Sequence, residues 1–211
     1  MPKEELLQIA EVLRENKNIY ILSDEIYELI LKKEFKHFSL ASLATDLKER
    51  IFIINGFAKG WAMTGWRVGY LVGQKDVIKA SSALQSQSTS NVCSFVQRGA
   101  LAALKINPEF FLKINSQYDT RREILYKGIK NIEGLFIYPP NGSFYAFPRL
   151  PNTSITSVEF CKKILHDYGL VLVPGKPFGD DQCIRISCAS SKEKILDGLS
   201  RLEKGILKYY F

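Results

Sequence analysis

The chain lacks the long apolar run that a membrane-spanning helix needs. Its 211 residues are 46% hydrophobic and 24% charged, but no stretch approaches the roughly 18 to 20 consecutive apolar residues of a span. The first residues, Met1 to Glu5, contain no apolar core of a secretory signal. Internal repeats and low-complexity segments are also missing, so the composition is that of a globular chain. We expect a cytoplasmic protein with no membrane partner.

Metal-binding cysteine patterns are missing too. The four cysteines, Cys93, Cys161, Cys183 and Cys188, show no CxxC spacing and no histidine nearby, so neither zinc nor a redox pair is indicated. Their neighbours are apolar or small. We therefore expect no metal and four buried free thiols in a reducing compartment.

The chain also lacks a concentrated stripe of basic residues. Lys and Arg outnumber Asp and Glu by 29 to 22, which gives a net charge of +7, but these residues are scattered along the chain. Even the densest group, Arg121, Arg122 and Lys127, lies in a helix-like segment beside Glu123. This pattern favours a solvated basic face, and we expect no nucleic-acid partner.

What is present in the first half is a series of short apolar runs. After an amphipathic helix over residues 3–13, strand-forming runs occupy 19–22, 51–54 and 68–72, and a helix follows over 75–90. Continuous apolar strands are typical of an α/β sheet that is buried on both faces and mostly parallel. We therefore predict such a sheet, covered by helices.

The second half has a different pattern. Asn107-Pro108-Glu109 predicts the start of a long helix over about 108–131, which would join a domain of residues 1–115 to one of residues 116–211. Beyond it the sequence predicts a hairpin, a helix, two further strands and a last helix, which together make an α+β domain. Their predicted ranges are 135–138 with 143–147 for the hairpin, then 158–168, 170–173, 184–187 and 191–209.

Polar side chains follow the apolar strands of the first half. Asp24 and Lys59 come after two of them and Arg67 precedes the third. Because ligands bind beyond the carboxyl ends of strands in open α/β sheets, these three groups could hold a ligand with both cationic and anionic parts. Simpler interpretations are a surface lysine, a helix-capping aspartate and a structural arginine, and periodicity alone does not decide between them.

The residues themselves resemble a known family. Ser23-Asp24-Glu25-Ile26-Tyr27 and the segment 55–70, NGFAKGWAMTGWRVGY, are similar to the pyridoxal-phosphate-dependent class I/II aminotransferases of fold-type I, and especially to their bacterial aspartate aminotransferase subgroup. Segments 140–145, 173–175 and 184–187 resemble later motifs of that family in the same order. Together these motifs are specific, although each is weak alone.

The resemblance implies a role for five residues. Lys59 would bond the aldehyde of pyridoxal 5′-phosphate and move the proton of the amino acid. Asp24 would keep the pyridine nitrogen protonated, Tyr27 would donate a hydrogen bond to the phenolic oxygen, and Arg67 would pair with the phosphate. Arg185, from the second domain, would bind the substrate carboxylate.

The resemblance also implies an extent and a reaction. It covers the C-terminal half of such enzymes, so we expect part of the large cofactor domain plus the small domain, weak cofactor retention and little activity. The expected reaction transfers an amino group between an amino acid, with aspartate as the best candidate, and a 2-oxo acid, in a homodimer. The alternatives are a lyase or decarboxylase of the same fold, and a non-catalytic fragment.

Overall fold

A computed structural model describes residues 1–151 and 155–211, which divide into two units, Met1–Leu112 and Lys113–Phe211. The elements of the first unit are α1 (Lys3–Glu15), β1 (Ile21–Asp24), α2 (Leu40–Leu43), β2 (Ile51–Gly56), β3 (Gly69–Val72), α3 (Lys75–Ser88) and α4 (Ser94–Ala103). Short 3₁₀ helices occupy Thr45–Arg50 and Thr64–Trp66. All three predicted strands of this half are confirmed.

The first strand begins later than predicted. β1 starts at Ile21 rather than at residue 19, and the side chain of Arg50 explains the difference. Its Nη1 donates to the carbonyl oxygens of Asn16 and Ile19, at 2.9 and 3.1 Å. Because the Ile19 carbonyl is bonded to a side chain, the ladder with the next strand starts beyond it.

The sheet has the order β1-β2-β3. β1 is parallel to β2, with Asp24 opposite Ile54, and β2 is antiparallel to β3, with Gly56 opposite Gly69. The prediction of a mostly parallel sheet is therefore wrong for the described residues. The reason is the connection from β2 to β3, which turns back at the same edge and is closed by a 3.2 Å bond from Phe57 N to Val68 O.

One face of this sheet is covered by helices, and the other is partly exposed. Helices α1 and α2 cover the first face, and the core between them contains Ala10, Leu13, Leu40, Ala44, Leu47 and Ile51. On the second face Leu22 is 64% exposed and Ile54 is 37% exposed. The prediction that the strands are buried on both faces is thus wrong at Leu22 and Ile54, although Phe52 on the same face is only 8% exposed.

The second unit contains most of α5 (Glu109–Lys130), which begins in the first unit, and then β4 (Tyr145–Ala146), α6 (Ser157–Tyr168), β5 (Val173–Pro174), β6 (Ile184–Ser187) and α7 (Lys192–Tyr210). The predicted cap of the long helix is confirmed, since Asn107 Oδ1 accepts from Glu109 N at 3.0 Å. Helices pack on an antiparallel sheet of order β4-β6-β5. The core includes the fully buried Ile129, Phe160, Ile164, Ile184, Leu202 and Ile206.

The predicted hairpin of residues 135–138 and 143–147 is wrong in its pairing. Phe136 forms only an isolated bridge, to Arg149, while β4 pairs with β6. The cause is the pair Pro139-Pro140, which has no backbone N–H groups and cannot continue a ladder toward the turn.

The cysteine prediction holds for three residues of four. Cys161, Cys183 and Cys188 are buried and free, whereas Cys93 is free but exposed. Cys93 is the residue directly before α4, so its side chain lies at a helix end rather than in the core. Among the described residues, each helix is too short or too polar to cross a membrane.

Candidate active site

Asp24 is the last residue of β1, at the edge where the parallel strand β2 also ends. Its side chain is exposed, and Oδ1 accepts a 3.2 Å hydrogen bond from Ile26 N. This local bond turns the chain away from the strand and fixes the carboxylate at the sheet edge. One predicted site residue thus lies where a ligand would approach.

The segment that carries Lys59 leaves the same edge and is fixed on both sides of the lysine. The rings of Phe57 and Trp61 lie 4.8 Å apart. Phe57 is buried in a small core with Ala100 and Ala103 of α4, and Trp61 Nε1 donates to the carbonyl oxygen of Ala103 at 3.2 Å. Because these anchors point into the protein, the backbone between them is held while Lys59 itself stays half-buried.

Lys59 lies beside Tyr27. Its Nζ is 6.0 Å from the centroid of the tyrosine ring, within range of a cation–π contact. Gly60 allows this approach of the two segments, because a Cβ there would lie 2.8 Å from Leu29 Cδ1. The structure therefore brings two predicted site residues into contact.

Arg67 reaches the same edge from the other side. β3 runs antiparallel to β2 and pairs Gly69 with Gly56, so Arg67 precedes β3 where β2 ends. Its backbone is left-handed, with φ of 53°, as is that of Ala62, with φ of 55°. Such conformations cost roughly 1–3 kcal/mol and cluster at ligand sites. The exposed guanidinium is oriented by a 3.0 Å bond from Nη1 to Thr64 O.

A buried polar network underlies this edge, and the sequence reasoning missed it. Glu25 is only 7% exposed. Its Oε1 accepts from Ser23 Oγ at 3.0 Å and from Ser39 Oγ at 2.8 Å, and its Oε2 lies 3.1 Å from His37 Nε2. These contacts tie the residue next to Asp24 to a segment twelve and more residues further along the chain.

A second part of the network involves β2. Asn55, which is buried, donates from Nδ2 to Glu28 Oε1 at 2.7 Å. The potential metal-ligating atoms of Glu25, Glu28 and His37 lie within 4.8 Å of one another. Since both carboxylates already accept hydrogen bonds from protein side chains, we interpret the group as a network that holds the sheet edge.

Arg185 belongs to the second unit, where it lies on β6 opposite Val173 of β5. Its guanidinium carbon is 4.4 Å from the ring centroid of Tyr145 and 4.5 Å from that of Phe178. With the described residues this half-buried guanidinium forms no hydrogen bond and no ion pair. Neither aromatic neighbour was predicted from the sequence. Tyr145 and Phe178 precede Arg185 by 40 and 7 residues, and neither separation is a helix or strand period that would bring the side chains together.

The fold is an α/β fold of the aminotransferase type. An aromatic aminotransferase from Pyrococcus horikoshii superposes with a TM-score of 0.91 and 32% identity, over 99% of this chain and 56% of that one. An aspartate aminotransferase from Rhizobium meliloti gives a TM-score of 0.87, also at 32% identity, over 93% of this chain and 52% of that one.

The sequence identifies the family. Residues 1–202 match the model of the aminotransferase class I and II family, and the chain belongs to that family. A probable aspartate/prephenate aminotransferase of Rickettsia felis is 38% identical over 95% of this chain and 52% of its own length. An aspartate aminotransferase of Pinus pinaster is also 38% identical, over 98% of this chain and 44% of its own length. The chain thus spans about half the length of these relatives.

Proposed function

We propose that the chain carries the cofactor-binding lysine, Lys59, of a pyridoxal-phosphate-dependent transaminase. The reaction transfers the amino group of an amino acid, with aspartate as the proposed donor, to a 2-oxo acid. The observation that carries this proposal is the position of Lys59 beside Tyr27, at the sheet edge that also bears Asp24 and Arg67. Membership of the family supports it.

The groups at this edge fit the cofactor chemically. Pyridoxal phosphate presents an aldehyde, a ring nitrogen, a phenolic oxygen and a phosphate. The edge offers the Lys59 amine for the first, the Asp24 carboxylate for the second and the Tyr27 hydroxyl for the third. The Arg67 guanidinium, whose flat fork suits a phosphate, serves the fourth. When bound, the cofactor supplies an electron sink for the negative charge that develops at the substrate Cα.

Lys59 moves the proton in this proposal. Its Nζ, as the neutral amine, would remove the proton from the substrate Cα and return it to the carbon that was the cofactor aldehyde, which requires a group that can both accept and lose a proton. An arginine cannot replace it, because a guanidinium stays charged in proteins. Such proton transfer contributes about 10²- to 10⁴-fold to rate, and the anchored backbone around Lys59 keeps the amine in place.

Arg185 is proposed to bind the α-carboxylate of the substrate. Its guanidinium has no acidic partner among the described residues, so its charge is available for an anion. We propose that the first unit is part of the cofactor-binding domain and that the second is the small domain. A homodimer stays a prediction of the family resemblance, and a cytoplasmic location stays a prediction from the composition of the chain.

The donor is proposed from the relatives. Those described above include aspartate aminotransferases, and a Thermus thermophilus aspartate aminotransferase has been solved with maleate, a dicarboxylate. The Pyrococcus structure is that of an aromatic aminotransferase. An aromatic amino acid is therefore the necessary comparison donor in the experiment.

The test follows the amino nitrogen. The chain is saturated with pyridoxal phosphate and given 2-oxoglutarate with ¹⁵N-aspartate or, for comparison, with a ¹⁵N-labelled aromatic amino acid. The ¹⁵N-glutamate that forms is measured by mass spectrometry. We expect label in glutamate, at a rate at least about 10²-fold lower in Lys59→Ala; circular dichroism checks that the variant is folded. Equal rates in the variant, or label released as ammonia, would contradict a transaminase that uses Lys59.

A further inference from the structure

We propose that Phe178 and Tyr145 are positioning residues that hold the Arg185 guanidinium in the plane that a substrate carboxylate needs. This inference rests on the proposed function, in which Arg185 binds that carboxylate. It assigns a task to two aromatic residues that touch the arginine rather than the substrate.

The first observation is contact. The Arg185 guanidinium carbon lies 4.4 Å from the Tyr145 ring centroid and 4.5 Å from the Phe178 centroid, which is close for a cation–π interaction. Within residues 1–151 and 155–211 no acceptor oxygen bonds the guanidinium, and its Nε is buried without a hydrogen-bond partner. The two rings are therefore the contacts that orient it.

The second observation is that both rings are tied to the strand that carries Arg185. Tyr145 lies on β4 and pairs with Ser187 of β6. Phe178 ends the 3₁₀ helix Lys176–Phe178, which follows β5, and β5 pairs with β6 at Arg185. The Tyr145 ring and the guanidinium thus lie on neighbouring strands of one sheet, and the Phe178 ring lies on the turn that follows its third strand.

The turn that presents Phe178 is tightly closed. Phe178 N donates to Gly175 O at 2.7 Å. A Cβ at Gly175 would lie 2.3 Å from the carbonyl oxygens of both Asp180 and Cys183, which are backbone atoms and cannot give way cheaply. Only glycine fits this approach, so the position of the Phe178 ring is set by the backbone.

Stacking and hydrogen bonding use different parts of an arginine. Aromatic rings contact the face of the guanidinium, whereas its N–H groups point outward in the plane. An ion pair would occupy those N–H groups, but rings leave them to a carboxylate, which binds best through two parallel bonds. Aromatic rings can therefore restrain the guanidinium of an arginine and still leave its N–H groups available to a carboxylate.

The test compares Phe178→Leu with two matched variants. Phe178→Tyr keeps a ring at the position, and Phe147→Leu removes a ring 6.1 Å from that of Phe178 for which no contact with Arg185 is seen among the described residues. Each chain, with pyridoxal phosphate present, is titrated with 2-oxoglutarate. Binding and the Arg185 Nε–H resonance are followed by NMR.

We expect Phe178→Leu to weaken 2-oxoglutarate binding about tenfold and to remove the ring-current shift of the Arg185 resonance. Phe178→Tyr and Phe147→Leu should stay within about twofold of the unaltered chain. Unchanged binding in Phe178→Leu, or equal weakening in Phe147→Leu, would overturn the positioning role.

The variant Arg185→Ala distinguishes failure of the positioning role from failure of the proposed carboxylate site. If Arg185→Ala lowers the affinity and Phe178→Leu does not, only the positioning role fails. If Arg185→Ala has no effect, the proposed carboxylate site fails and the positioning role fails with it.

Discussion

Lys59 shows how single residues divide the work of the site. Phe57 packs in the core, and Trp61 donates a hydrogen bond to α4. The side chain of Lys59, which lies between them in sequence, stays half-buried beside Tyr27. The residues that fix the backbone, Phe57 and Trp61, thus face the protein interior, whereas the neighbouring Lys59 faces the sheet edge. This arrangement keeps a lysine precise without burying its charge.

Cysteine reactivity gives a prediction at the same scale. Burial raises the pKa of the Cys161 thiol to about 11. Burial also raises the pKa of Cys183 to about 11, with a further contribution from its hydrogen bond to Asp180. At pH 8 about one thousandth of such a thiol is the reactive thiolate. Exposed Cys93 should therefore react first with a thiol reagent.

The measurement is the time course of iodoacetamide labelling of the native chain, with peptides identified by mass spectrometry. We expect rapid labelling at Cys93 and its loss in Cys93→Ser, with Cys161 and Cys183 labelled only after denaturation. Fast native labelling of Cys161 would show that the core of the second unit opens readily.

The site could be predicted in part from the sequence. Asp24, Lys59 and Arg67 adjoin apolar runs, and the rule that parallel strands end at a common edge places the first two together. The contact between Glu25 and His37 could not be predicted. It joins residues twelve apart, through a segment without a helix, and neither period nor spacing indicates such a contact.

At the scale of elements, the close approach of β2 and β3 at the site edge depends on two glycines. Gly56 pairs with Gly69, and a Cβ at Gly56 would lie 2.7 Å from Gly69 Cα and 2.9 Å from Val68 O. Since the obstacles are backbone atoms, an added methyl must push the strands apart. The displaced segment is the one that carries Lys59 and Arg67.

Gly56→Ala should therefore destabilise the chain by about 1–3 kcal/mol and weaken binding of pyridoxal phosphate. Gly65→Ala is the matched control, because nothing lies within 4 Å of its Cβ position and it lies in the same connection. Denaturant unfolding and cofactor titration measure the two effects. Equal losses of stability and of cofactor binding in the two variants would show that the close approach of β2 and β3 does not determine these properties.

Elements were predicted best where the signal was local. The cap and apolar spacing of α5 placed that helix within one or two residues, and α6 and α7 also lie within a few residues of their predicted ranges. The pairing of residues 135–147 was missed because it depends on β6, about forty residues further on. The direction of β3 was missed because an apolar run contains no information on the direction of its neighbour.

At the scale of the whole molecule, the partly exposed face of the first sheet is the main feature. Leu22 and Ile54 are exposed there, on the sheet whose edge bears Asp24 and Lys59. The chain spans about half the length of its relatives. Of the cofactor contacts proposed here, only the one to Lys59 is covalent. We therefore expect retention of pyridoxal phosphate to depend largely on that bond.

That bond is the central claim, and chemical trapping tests it even when retention is weak. The chain is incubated with pyridoxal phosphate, reduced with borohydride so that the bond becomes permanent, digested and mapped by mass spectrometry. Lys75→Ala removes an exposed lysine of the same unit as a control, and Lys59→Ala removes the proposed site. We predict that the pyridoxyl group is found mainly on Lys59, unchanged in Lys75→Ala and lost in Lys59→Ala. Label spread evenly over exposed lysines, or undiminished in Lys59→Ala, would contradict the account.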